Sequence, residues 1–352
     1  MRTIYTTTTT LALCVALAAL AIPSAGAQTR RRGGGGAAKP GAKPQATATA
    51  PARQAVPLPA SDAVLAVDLR RLLTEAVPRA LAADPARLSA VNADIEQFKA
   101  RTGIDARAFD TLTVGVRLTN PSPSVTKIDH MVAIAHGTFR PDVLVAAGRL
   151  AARDKFREEK HAGKSVYIIS LNDQLKLFGL LKVRVRDLAL TVLDTSTLAV
   201  GEPEAVRATI DAQAGRGRVD ADLLNFARSP ADLILFAGNV PPSLTAGLDL
   251  GSPEINTAVA SVRRFSGAIG VTPSGYQMQT TLRTLNAADA KSLGETLEAL
   301  KQVAPMLISM AGARGKFAKN AVESLKITTQ GGEVQLRLEL AQADLAALLR
   351  AL

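Results

Sequence analysis

The sequence predicts an α+β fold of two similar halves, each a mostly antiparallel sheet with helices packed on one face. Three observations lead there. Apolar and polar residues alternate in several short runs, the pattern of a half-buried strand. Short turns rich in Gly and Pro join those runs in pairs, which makes neighbouring strands antiparallel. Between the pairs lie capped stretches with apolar residues at helical spacing, and such helices must bury their apolar stripe against a sheet.

The first half is assigned to residues 60–215. It opens with the apolar strand Asp62–Asp68. A helix follows, with Leu88, Val91, Ile95 and Phe98 on one face and Gly103 where a C-terminal cap belongs. In Thr111–Leu118, the residues Leu112, Val114, Val116 and Leu118 alternate with Thr111, Thr113, Gly115 and Arg117, and His130–His136 supplies the paired strand. Then come a helix over Pro141–Arg153 and a second strand pair that contains Val166–Ile169. Pro203, preset for the first helical turn, starts a closing helix that carries Val206 and Ile210.

The second half, residues 220–352, repeats that order. Asp232–Gly238 matches the opening strand, and Phe265–Val271 pairs with Tyr276–Thr284 across the turn Pro273-Ser274-Gly275. Asn286 with Asp289 three residues on resembles a capping box, opening a helix over Ala287–Met310 that buries Leu293, Leu297 and Leu300. Gly331-Gly332 turns the last hairpin, because glycine reaches positive φ without a side-chain clash. Val334, Leu336, Leu338 and Leu340 alternate beyond it, and a terminal helix carries Leu345, Leu348, Leu349 and Leu352. The order of elements, not residue identity, makes the halves similar.

Ahead of both halves, Arg2 precedes an apolar run from Leu11 to Ile22, and Ala25-Gly26-Ala27 closes the segment. These are the parts of a secretory signal peptide, and the run is shorter than the roughly 20 residues that span a bilayer. Residues 1–27 are read as a leader cleaved after Ala27, which places the protein in the periplasm or outside the cell. The only cysteine, Cys14, lies in that leader, so the mature chain is cysteine-free and has no disulfide or thiol chemistry. Leu13 stands before Cys14 where lipid attachment wants a small residue. Residues 28–59 read as a disordered, basic, Gly/Ala/Pro-rich linker without apolar periodicity.

The net charge of +11 belongs largely to that linker. Residues 1–59 contain no Asp or Glu and carry Arg2, Arg30, Arg31, Arg32, Lys39, Lys43 and Arg53; these seven leave 35 basic against 31 acidic residues in 60–352, a net of only +4. Aromatic residues make up 3% of the chain and Trp is absent. Base stacking needs aromatic faces beside positive charge, so nucleic acid is not an expected partner. Arg30, Arg31 and Arg32 are a candidate contact to an anionic envelope surface.

No motif for an enzyme emerges. Gly163-Lys164-Ser165 resembles the end of a phosphate-binding loop, but Glu158 occupies the position of its first glycine and a strand follows it. Of the three histidines, His130 and His136 are about 20 Å apart on one strand at about 3.3 Å per residue, too far to share a metal ion; His161 reads as a loop residue after a charged helix end. The nucleophile elbow of serine hydrolases is missing. Asp187 and Asp194 flank one strand some 23 Å apart on the same rise, and Glu158 and Glu159 read as a solvated turn. No catalytic residue, cofactor or metal ligand is assigned. The Leu-rich stretch 171–181 offers Leu175, Leu177, Phe178, Leu180 and Leu181 as an apolar flap or partner contact.

Four segments carry a resemblance: Ala63–Leu73, Gly137-Thr138-Phe139, Gly163–Tyr167 and Thr197–Val206. Together, mainly over residues 60–215, they resemble exported bacterial proteins of unknown function with a duplicated α+β domain. That resemblance implies secretion and the duplicated fold, and it supplies no catalytic residues. The expected function is a non-catalytic binding or scaffold module of the cell envelope whose partner is a protein, polymer or lipid. A periplasmic carrier of an apolar or lipid-like ligand is the alternative, and an enzyme whose site converges only in the fold is a third. No transmembrane segment is expected once the leader is removed.

Overall fold

Strand β1 (Ala63–Asp68) joins the two parts of the chain. In the computed structural model, which describes residues 56–102, 105–122, 125–152, 155–177, 181–226, 232–245, 252–310 and 316–344, β1 pairs with β2 (Phe109–Ser122) on one side and β8 (Ile234–Asn239) on the other. Among the described residues a single sheet of twelve strands results, in the order β11-β12-β10-β9-β8-β1-β2-β3-β7-β6-β5-β4. The remaining strands are β3 (Val125–Gly137), β4 (Phe156–His161), β5 (Lys164–Leu177), β6 (Leu181–Asp194) and β7 (Thr197–Gly201), then β9 (Val262–Thr272), β10 (Gly275–Thr284), β11 (Lys326–Gln330) and β12 (Glu333–Ala341). Every neighbouring pair is antiparallel. The α+β class and its antiparallel sheet are thus present, and the strands of both expected halves share one ladder.

The register decides which side chains share a face. Val64 stands opposite Ala237 and packs with Val132, Ile134, Ile168, Ala189 and Ala199 on one side of the sheet. Helix α4 (Pro203–Gln213) contributes Ala205, Val206 and Ile210 to this core, and α5 (Ala221–Phe226) contributes Leu223. Leu65 and Val67 point to the other side, with Phe236, Ile269 and Tyr276. There the cover is α1 (69–80, with a π-helical turn over Leu72–Ala76), α2 (Pro85–Thr102) and α8 (Ala287–Met310). Helix α3 (Pro141–Ala152) joins that side through Leu144 beside Phe109 and Leu198. Helices thus cover both faces of the sheet beyond β1, α4 on one and α3 on the other, and β1 and β8 contribute to the cores on both faces. Both strands are apolar on both faces, as strands buried on two sides must be.

The local signals act as the sequence predicts. Asn286 Oδ1 accepts from the Asp289 backbone N–H at 2.9 Å and starts α8. Pro203 occupies the first turn of α4. Gly331, at φ 54°, turns β11 into β12. Ala162 and Gly163, at φ 46° and 83°, form a two-residue turn between β4 and β5, with both residues at positive φ.

Three expectations change. Phe156–His161 is a strand at the sheet edge, so Glu158, Glu159 and His161 belong to β4 and not to a helix end, turn or loop. An edge strand that carries charges resists pairing with other molecules, and those charges hide its alternation. Asp187 lies inside β6, because that strand starts at Leu181. Residues 56–59, read as linker, belong to the fold: Leu58 is fully buried, its carbonyl accepts from Val219 N–H, and Pro59 bridges Arg218. The leader, Arg30–Arg32, Gly103, Phe178, Leu180 and the terminal helix at 345–352 lie outside the described residues.

Candidate binding site

The shortest interior strand creates the most unusual feature of the sheet. β7 pairs with β3 only over Val132–His136 and with β6 only from Ala189 to Asp194, and it ends at Gly201. Both neighbours run well past that point. β3 extends back to Val125 within the β2–β3 hairpin, and β6 extends back to Leu181 within the β5–β6 hairpin. The hairpins thus form two arms pointing the same way from the end of β7. Each bends at a bulge just beyond it: His130/Ile128 against Arg117/Leu118 in one arm, and Ser170/Asp173 against Asp187/Val185 in the other.

Proline ends β7. Glu202 N–H still reaches Met131 O at 3.2 Å, but Pro203 then turns the chain into α4, which folds back over the sheet. The start of α4 therefore lies at the fork between the arms. There His130 Nδ1 lies 3.2 Å from Glu202 Oε2, and its Nε2 lies 3.2 Å from Asp129 Oδ2 and 3.4 Å from Glu204 Oε2. The side chains of Asp129, Glu202 and Glu204 are 38%, 46% and 72% exposed. Glu202 and Glu204 also sit where the helix dipole favours negative charge.

The other two histidines serve the same helix and the strand before it. His136 Nδ1 lies 3.1 Å from Thr197 Oγ1, and His161 Nε2 lies 3.2 Å from Asp211 Oδ2 on α4. Arg216 donates to Asp211 at 2.5 Å, and its guanidinium, with His161 adding to the effect, holds the Asp211 carboxyl below the usual range. Arg207 Nε donates to Glu159 Oε1 at 2.7 Å and holds that carboxyl low as well. Burial pushes Asp194 up, but N–H and hydroxyl donors from Ser196 and Thr197 outweigh it, and its carboxyl is also held low. The Glu159–Arg207 and His161–Asp211 pairs fasten α4 to β4. Among the described residues, no cluster of three or more His, Cys, Asp or Glu side chains has the geometry of a metal site.

The β2–β3 arm has its own anchor. Ser243 Oγ donates to Asn120 Oδ1 at 2.6 Å, and Thr126 Oγ1 lies 3.0 Å from that oxygen and 2.9 Å from Ser243 Oγ. Ser243 belongs to the short helix α6 (Pro242–Thr245). On this arm Val125 is 38% and Ile128 53% exposed.

Of the residues offered as a flap, Leu175 and Leu177 lie on β5 and Leu181 begins β6, with Leu177 opposite Leu181. They belong to the outer part of the β5–β6 arm. The sequence does not reveal the fork, since Asp129, His130, Glu202 and Glu204 are far apart along the chain. The one local signal is the pair of glutamates around Pro203 at the end of an apolar strand. Among the described residues, no helix is long and apolar enough to cross a membrane.

No protein-family model matches the chain, and no curated protein matches it. Among solved structures, two crystal forms of TP0453 are similar to it. Form III has a TM-score of 0.46 at 9% identity, covering 84% of this chain and 97% of that one. Form I has a TM-score of 0.43 at 10% identity, covering 84% and 95%.

Proposed function

We propose that this chain is an exported cell-envelope protein, allied to the exported bacterial proteins that residues 60–215 resemble, and that it acts as a non-catalytic binding module. The observation that carries this reading is the pair of hairpin arms running past the end of β7. Strands that project beyond their neighbour bury less surface than strands within the sheet, so their length adds little to stability. It adds instead an edge and a side-chain surface for another molecule. The Glu159–Arg207 and His161–Asp211 pairs hold α4 against β4, which suits a rigid platform better than a reacting centre.

A photo-crosslinking side chain placed at Lys127 and, separately, at Lys182 should trap one discrete partner in the native envelope. The same probe at Thr328, exposed on the outer strand β11, should trap none. Equal labelling from all three positions would defeat the reading. Export is checked independently by N-terminal sequencing, with Gln28 expected as the first residue.

A carrier of an apolar ligand remains the second reading. It is favoured by Ile128, 53% exposed, next to the part-exposed Leu118 and Met131. An apolar fluorescent probe that brightens on binding and loses its signal in Ile128→Asp would support it.

A further inference from the structure

We infer that the fork between the arms is a slot for one extended polypeptide strand, and that the strand it accepts carries Lys or Arg side chains. This deepens the binding-module reading above and rests on it. Where β7 is present, it separates β3 from β6 by two strand spacings, about 10 Å at roughly 4.8 Å each. Past Glu202 none of the described residues continues its line. Among the described residues, no strand pairs with Val125–His130 of β3 or Leu181–Leu188 of β6 on the sides that face each other. Each edge therefore offers main-chain N–H and C=O groups to a gap one strand wide.

An added strand in that gap forms ladders on both sides, whereas one on an outer edge forms a single ladder. A lipid chain has no groups to satisfy either edge. A folded surface is too thick to enter a gap one strand wide. Pro203 turns the chain out of this line into α4, which leaves the unpaired edges to an incoming segment.

Charge selects among extended segments. Asp129, Glu202 and Glu204 surround the single imidazole of His130 at the closed end of the slot, and all three carboxylates are solvent-accessible. A strand with basic side chains is attracted there, and an acidic one is repelled.

The test uses the full chain and three short synthetic peptides, with hydrogen exchange as the readout. One alternates Lys with Val, the second replaces Lys with Glu, and the third repeats the first with every second backbone nitrogen methylated. The Lys peptide should slow amide exchange in 125–130 and 181–188 together, and added salt should weaken it. The Glu peptide and the methylated peptide should each bind at least about tenfold more weakly. Asp129→Asn and Glu204→Gln should each weaken the Lys peptide by about twofold to fivefold.

Several results would overturn the proposal: no protection by any peptide, equal binding of the methylated peptide, or protection confined to the outer edges Phe156–His161 and Lys326–Gln330. Protection of both edges before any peptide is added would also overturn it. If that protection depends on concentration, a second copy occupies the slot; if deleting residues 28–52 abolishes it, the chain's own linker does. Failure of the peptides while Lys127 still crosslinks a partner would remove the strand slot and leave the binding-module reading standing.

Discussion

Glu159 on the edge strand β4 accepts a hydrogen bond from Arg207 on α4 at 2.7 Å, tying the outermost strand of the sheet to the helix that begins at the fork. Both side chains are 33% exposed, so solvent screens the pair. Arg207→Ala is expected to lower stability by no more than about 1 kcal/mol. Its larger effect is local. Amides of α4 should exchange faster while those of α8, on the opposite face, stay unchanged, and hydrogen exchange followed by mass spectrometry distinguishes the two.

Acid should loosen the same helix. Glu159 and Asp211 are held below their ordinary carboxylate range by Arg207 and Arg216 respectively. A carboxyl that ionises more readily when folded makes the unfolded state bind protons first as pH falls. The stabilisation is thus complete above the ordinary carboxylate values, about 4, and is lost as pH drops through the lowered folded values. Thermal unfolding recorded from pH 7 downward should stay level on account of these two groups until about pH 5 and decline below it. Glu159→Gln combined with Asp211→Asn should flatten that decline.

The hairpins, the capped helices and the alternating strands were legible because their signals are local. Asn286 caps the helix it announces, and Val334 to Leu340 alternate as a half-buried strand must. Helix Ala287–Met310 has the ends that its sequence predicts. The edge strand β4 was hidden because charged residues on an edge suppress apolar alternation. The common sheet was hidden for a different reason. Only pairing between β1 and β8, remote in sequence, makes the two sets of strands continuous, and register between remote strands leaves no mark in either one. The fork is the least legible feature of all. It arises because β7 is shorter than both its neighbours, a relation among three segments and not a motif in any of them.

One buried leucine fixes the segment that leads into β1. Leu58 has no exposed surface and packs in the core with Val64, Val219 and Leu223. Its carbonyl is bonded to Val219 N–H, so side chain and backbone hold the same point. Leu58→Ala removes atoms from a closed core and is expected to cost about 2–5 kcal/mol in chemical denaturation. Limited proteolysis should cleave the segment read as a linker and stop ahead of Val56. In Leu58→Ala the cleavage should continue past residue 60, since the segment then loses its main attachment.

Gly201, the last residue of β7, lies close against β3, and two glycines compared with each other test this. A Cβ at Gly201 would lie 2.4 Å from Met131 O and 2.8 Å from Val132 Cα, both backbone atoms of β3. Neither can swing aside as a side-chain tip could, so β7 and β3 must separate. Gly163, in contrast, has nothing within 4 Å of an added Cβ, but its φ of +83° disfavours any L side chain. Gly163→Ala therefore carries only a conformational cost, about 1 kcal/mol. Gly201→Ala carries a packing cost of about 1–3 kcal/mol instead, and it should also speed amide exchange along Val132–His136 of β3. If Gly201→Ala leaves those amides as protected as Gly163→Ala does, the close approach of β7 to β3 does not exist.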